Sequence, residues 1–147
     1  MKNLCIIPAR GGSKRIPRKN IKHFMGKPIM AYSIEAALNS ELFDEVMVST
    51  DDEEFADVAK KYGASVPFLR SEATANYYAT TVDVLLEVIE TYKQQGMVFD
   101  TICCLYSTAP FVTSERLKEA CSKLSDIIDA CFTMVEYSYP IQRSLRI

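Results

Sequence analysis

The chain has 147 residues, 48% hydrophobic and 24% charged, which suits a single globular domain of residues 1–147 with a sizeable core. The formal net charge of −2 argues against a nucleic-acid surface, and no apolar run reaches membrane-spanning length, so neither partner is expected. The balance is uneven: eight of the 17 Lys and Arg fall in the first 27 residues, and no Asp or Glu precedes Glu35.

In chain order, Leu4–Ala9 is a continuous apolar run and predicts a short buried strand. Lys14–Pro28, with two prolines and many charges, predicts a long loop of the kind that usually carries function. A helix follows with Met30, Ile34, Ala37 and Leu38 on one face. Glu45–Thr50 predicts the second strand. Asp51 or Asp52 then caps a helix with Phe55, Val58, Ala59 and Tyr62 as its stripe and Gly63 beyond its end. Ser65–Leu69 predicts a third strand, Arg70–Ala79 a polar loop, and Thr80–Gln95 a helix with Val82, Leu85, Leu86 and Ile89 apolar. Thr101–Tyr106 predicts a fourth strand. A proline-containing turn follows, then a helix capped by Thr113 or Ser114, and a fifth strand over Ile127–Val135.

Alternating strands and helices predict an α/β fold with a mostly parallel sheet and helices on both faces. Ligands of such sheets bind beyond the carboxyl ends of the strands, where strand order reverses. The loops at Arg10–Lys27, Arg70–Ala79 and Ser107–Thr113 would share that edge, and they hold the polar residues that helix and strand patterns leave unexplained.

The first loop reads Ile-Ile-Pro-Ala-Arg-Gly-Gly-Ser-Lys-Arg-Ile-Pro-Arg-Lys-Asn from Ile6 to Asn20. It matches neither a P-loop nor G-x-G-x-x-G. Gly11 and Gly12 lack Cβ atoms and could turn their N–H groups toward an anion, while Arg10, Lys14, Arg15, Arg18 and Lys19 add positive charge. A nucleotide-phosphate site is therefore favoured over a merely solvated basic loop. The run Asp51-Asp52-Glu53-Glu54 is better explained as acidic residues at a helix N-terminus than as a metal site. His23, the only histidine, has no nucleophile at readable spacing. Five cysteines without CxxC spacing read as reduced core residues of a cytoplasmic protein.

The first-loop motif, with Gly26-Lys27-Pro28, Val48-Ser49-Thr50-Asp51 and Ser107-Thr108-Ala109-Pro110, resembles the cytidylyltransferases that activate nonulosonic (sialic-type) acids. Tyr137-Ser138-Tyr139-Pro140-Ile141-Gln142-Arg143 and Ala109–Thr113 resemble the pseudaminic acid branch. The resemblance implies a three-layer α/β/α, Rossmann-like nucleotidyltransferase fold. It implies transfer of CMP from CTP to the anomeric hydroxyl of a sugar acid, with release of pyrophosphate. It further implies Mg²⁺ as cofactor, metal ligands beyond the segment at hand, and a homodimer in the full-length form. The family domain is longer, so the chain is expected to be C-terminally incomplete.

By the same resemblance, Arg10 and Lys19 would be catalytic. Arg10, Gly11, Gly12, Ser13, Lys14 and Asn20 would hold the triphosphate and ribose, with Arg70, Asn76 and Thr80 at the cytosine and ribose end. Tyr106, Gln142 and Arg143 would meet the sugar acid. Thr80 could equally be only a helix cap. Tyr106 could be the buried end of a strand, and Arg143 a surface arginine. The chain departs from the family pattern at Tyr77, Tyr106 and Ser107. A cytidylyltransferase for N-acetylneuraminate or 3-deoxy-octulosonate, and a nucleotide-binding domain without activity, remain alternatives.

Overall fold

A computed structural model of the chain describes residues 1–13 and 15–136. Its main sheet has β1 (Asn3–Pro8) at the centre. On one side lies β4 (Glu45–Ser49) and on the other β5 (Thr101–Cys104), both parallel to β1. The small strands β2 (His23–Phe24) and β3 (Lys27–Pro28) form a separate hairpin. It turns through Met25 at φ 48° and Gly26 at φ 95°, the positive pair that a tight hairpin favours. The expected long loop thus has structure of its own, including a 3-10 turn at Lys19–Ile21.

Each face of β1 meets a different layer because side chains alternate along a strand. Cys5 and Ile7 pack with Met30, Ile34, Phe55 and Ala59 of α1 (Ile29–Ser40) and α2 (Glu53–Lys61). Leu4 and Ile6 pack instead with Val88 and Tyr92 of α4 (Thr81–Gln94). The short α3 (Glu72–Ala75) precedes α4, and Leu117 of α5 (Ser114–Cys121) packs on the α1 side. This is the expected three-layer α/β/α fold. The chain moves outward from β1 to β4, then crosses back over the other face through α4 to β5. Strand order therefore reverses between β1 and β5, and the carboxyl ends of the two strands open a crevice there.

Three expected elements differ. The third strand, Ser65–Leu69, shrinks to one parallel bridge between Met47 and Ser65. Pro67, two residues on, has no N–H to extend the ladder. In α4 the buried face is Val84, Val88 and Tyr92, while Val82 and Leu86 are 60% and 59% exposed. Both sets have helical spacing, and the aromatic neighbours Phe68 and Phe99 decide which is covered. The fifth strand, Ile127–Val135, does not form. A single bridge joins Ser125 to Ile128, and Phe132, Met134 and Val135 are exposed. The apolar run has strand propensity, but among the described residues no strand edge pairs with it.

Of the five cysteines only Cys5 is buried; Cys104 and Cys131 are exposed, against the expectation of core positions. Among the described residues no helix is long and apolar enough to cross a membrane.

Candidate functional site

A cleft of about 520 Å³ occupies the crevice at the strand-order reversal. Arg10, Arg15, Lys19 and Arg70 line it, and no described Asp or Glu does. The three polar loops predicted to share this edge all contribute to it.

The loop after β1 is fixed by its backbone. Ala9 N donates to Ser49 O at 2.9 Å, and Gly11 N donates to Asp51 Oδ1 at 2.9 Å. A Cβ on Gly11 would lie 2.8 Å from Asp52 Oδ2, so glycine is required by this close approach. Neither Gly11 nor Gly12 has positive φ, and neither lines the cleft. The Gly11 N–H, expected to turn toward an anion, is instead used in a tight junction with the acidic turn after β4. Ser13 and Lys19 line the cleft as expected.

Asn20 is buried; its Nδ2 donates to Arg10 O at 3.0 Å, and its Oδ1 accepts from Ser107 Oγ at 2.9 Å. Arg10 Nη1 donates to Asn76 O at 2.5 Å, and its guanidinium stands 5.7 Å from the centre of the Tyr77 ring. Arg18 points elsewhere, pairing with Asp52 and Glu54 and stacking on Phe55. Asp52 also caps α2, accepting from Phe55 N at 3.2 Å, which bears out the helix-terminus reading of the acidic run. Burial raises the Asp52 pKa, but Arg18 and the cap bonds outweigh it and hold the carboxyl below its ordinary value.

The loop at residues 70–79 forms the opposite wall. Arg70 donates Nε to Ser49 Oγ at 3.1 Å and Nη2 to Ser49 O at 2.8 Å. Burial lowers its pKa, with Arg10 adding to the effect while Asp51 and Glu87 oppose it. The Asn76 side chain builds the loop itself. Its Oδ1 accepts from Tyr78 N and Ala79 N at 2.8 and 3.0 Å, and its Nδ2 donates to Ala73 O at 2.6 Å. Thr80 is the N-cap of α4, in a reciprocal capping box with Asp83. Asn76 and Thr80 line the cleft, with these groups engaged in local structure.

Glu87 holds this wall to α4, accepting from Ser71 N at 2.8 Å and from the Thr74 hydroxyl. Burial raises the Glu87 pKa. The Thr74 and Ser71 bonds and the nearby Arg70 charge overcome that, so it titrates below its ordinary 4.5. Its stabilising contribution is complete above pH 4.5 and is lost as pH falls through the lower folded-state value. Glu87→Gln is expected to reduce stability at pH 7 by about 1 kcal/mol and to flatten the acid limb of the stability curve. Urea unfolding between pH 3 and 7 measures both; an unchanged acid limb would count against the anchor.

The loop after β5 supplies the third side. Tyr106 is 56% exposed, so it is not a buried strand end, and its hydroxyl lies 3.1 Å from Thr81 Oγ1. Ser33 Oγ donates to Tyr106 O at 2.8 Å, fixing this loop to α1. Sequence reasoning left Arg15, Thr81 and Ser107 out of the site, although all three line the cleft. Arg15 was legible only as one of several loop charges; which of these face inward depends on the helices beside them. Lys14, Gln142 and Arg143 lie outside the described residues. Among the described residues no cluster of three His, Cys, Asp or Glu could hold a metal. Asp51 Oδ1 accepts from Gly11 N, and Asp52 accepts from Arg18 and Phe55 N.

A family model described as "Cytidylyltransferase" matches residues 4–138. The chain belongs to the cytidylyltransferase family. It is 52% identical, over 98% of its own length, to pseudaminic acid cytidylyltransferase of Campylobacter jejuni subsp. jejuni serotype O:2, and covers 62% of that protein. It is 42% identical, over 82% of its length, to CMP-N,N'-diacetyllegionaminic acid synthase of Legionella pneumophila, covering 52% of it. The chain thus spans less than two thirds of these relatives. Among solved structures it resembles a CMP:2-keto-3-deoxy-manno-octonic acid synthetase complexed with CTP. The TM-score is 0.69 at 26% identity, covering 83% of this chain and 46% of that one. A 4-diphosphocytidyl-2C-methyl-D-erythritol synthase shares the fold, with a TM-score of 0.65 at 17% identity over 84% of this chain and 54% of that one.

Proposed function

We propose that the cleft binds CTP and that the protein transfers CMP to the anomeric hydroxyl of a nonulosonic acid, pseudaminic acid in the first instance. The observation that carries this reading is the row of four cations, with no described carboxylate, at the strand-order reversal of a cytidylyltransferase-family chain. The 52% identity to pseudaminic acid cytidylyltransferase supports the choice of acid.

In the proposed step the sugar's anomeric hydroxyl attacks the α-phosphorus through its oxygen, and its proton passes to solvent water. The bond from that phosphorus to the bridging oxygen breaks, and pyrophosphate leaves with the charge. The protein's part is to position the groups and to neutralise charge on the leaving phosphates. Arg10 and Lys19 are the catalytic candidates. Ser13, Lys14 and Arg15 would add donors to the triphosphate. Gly11, Gly12 and Asn20 shape that loop, and Asn76 and Thr80 order the wall from which Arg70 faces the base. Tyr106, with Gln142 and Arg143, would meet the sugar acid. Mg²⁺, which would balance phosphate charge, would take its ligands outside the described residues, and a homodimer is the proposed assembly of the full-length protein.

Incubation with CTP and, in turn, pseudaminic acid, N-acetylneuraminate and 3-deoxy-octulosonate tests the reading through pyrophosphate and CMP-sugar formation. CMP-pseudaminic acid should dominate. Turnover of 3-deoxy-octulosonate alone would reject the substrate class.

A further inference from the structure

We propose that Ser107 is a positioning residue. Through the Asn20 carboxamide, it orients the Arg10 backbone so that the cationic loop faces a triphosphate. This rests on the CTP reading above and adds to it a residue at which the chain departs from the family pattern.

The pair is buried, with Ser107 4% and Asn20 5% exposed. It joins two loops 87 residues apart in sequence. The proton assignment is forced by chemistry. The Arg10 carbonyl can only accept, so the Asn20 group facing it at 3.0 Å is the NH₂. The carboxamide oxygen then faces Ser107, whose hydroxyl has to donate, at 2.9 Å. A residue without that donor leaves a buried carbonyl oxygen unpaired, which is costly. Rotating the amide would relieve this only by setting two oxygens against each other at Arg10.

The consequence is local to the phosphate side. Around Arg10 the chain is held from β4 at two points, by Ser49 through Ala9 N and by Asp51 through Gly11 N. Its carbonyl is held from the β5 side through Asn20 and Ser107. The β5 loop is a firm base for this contact, because Ser33 Oγ and Ala109 N both bond to Tyr106 O, at 2.8 and 3.2 Å. Arg10 is thus gripped from both sides of the strand-order reversal. Arg70, on the opposite wall, is held by Ser49 and Thr50, and the Ser49 carbonyl is shared with Ala9 N.

Calorimetric titration of the chain and of Ser107→Ala with CTP and with CMP separates this role from general loosening. We expect Ser107→Ala to weaken CTP about tenfold and CMP by less than about twofold. In an Asn20→Ala background, removing the Ser107 hydroxyl should add nothing further, since both changes cut the same link. Ser107→Thr, which keeps the donor, should stay near the unsubstituted chain; should Ser107→Ala not fold, Ser107→Gly, which also lacks the donor, carries the same comparison. Unchanged CTP affinity, equal losses for CTP and CMP, or additive effects with Asn20→Ala would each overturn the inference while leaving the CTP reading intact. No CTP binding by the unsubstituted chain would overturn both.

Discussion

Lys19→Met is expected to lower turnover by about 100- to 1,000-fold, about 3–4 kcal/mol of barrier, the usual effect of removing one group that meets developing charge. Lys19 sits in the 3-10 turn beside Asn20, lines the cleft, and has no carboxylate partner among the described residues. Its ammonium is therefore available for a leaving pyrophosphate. Arg18, one residue earlier, faces the start of α2 and is engaged there. The two neighbours should behave differently: Arg18→Met should affect stability more than rate. Steady-state kinetics on catalytically active protein measure this. The expected pattern for Lys19→Met is a fall in kcat with KM for CTP changed only a few-fold. An unchanged kcat would remove Lys19 from the chemical step.

Tyr92→Ala is expected to destabilise the fold by about 3–5 kcal/mol, the range for truncating a large buried aromatic. Tyr92 is 1% exposed. It meets Phe68 and Phe99 edge-on, at centroid distances of 5.4 and 5.2 Å. Its hydroxyl reaches Glu45 Oε1 at 3.1 Å, tying α4 to β4, and burial together with the Glu45 charge pushes the phenol pKa up. Tyr92→Phe keeps the ring contacts and should cost only about 1 kcal/mol. Urea unfolding of both variants is the measurement; similar losses would mean that the hydroxyl, rather than the ring, dominates. The experiment also tests which face of α4 is the core face, because Val82→Ala or Leu86→Ala should then cost little.

Three of the five expected strands were legible because buried parallel strands read as unbroken apolar runs, as Leu4–Ile7 does. The position of the candidate site followed from the alternation of strands and helices, with the unexplained polar loops falling on one sheet edge. What was not legible depended on long-range neighbours. The burial of Val88 and Tyr92 beside Phe68 and Phe99 depends on partners far away in sequence. The Ile127–Val135 run has the composition of a strand, but pairing also needs an available edge. Within the site, the clustering of charge was visible, but its allocation was not. Arg18 turns to α2 while Arg15 turns to the cleft, and both read alike as loop arginines. Asn76 and Thr80 were visible as polar residues near a helix start. Their turn and cap bonds show how local backbone satisfaction can occupy the side chains a ligand might also use.

The proposed role of the cleft between β1 and β5 is to hold a pyrimidine triphosphate. Calorimetric titration of the chain with CTP, UTP, ATP and GTP, alongside Arg70→Ala, tests it most directly. CTP should bind in preference to the other three, and Arg70→Ala should lose that preference. Equal binding of all four nucleotides, or none of CTP, would contradict it.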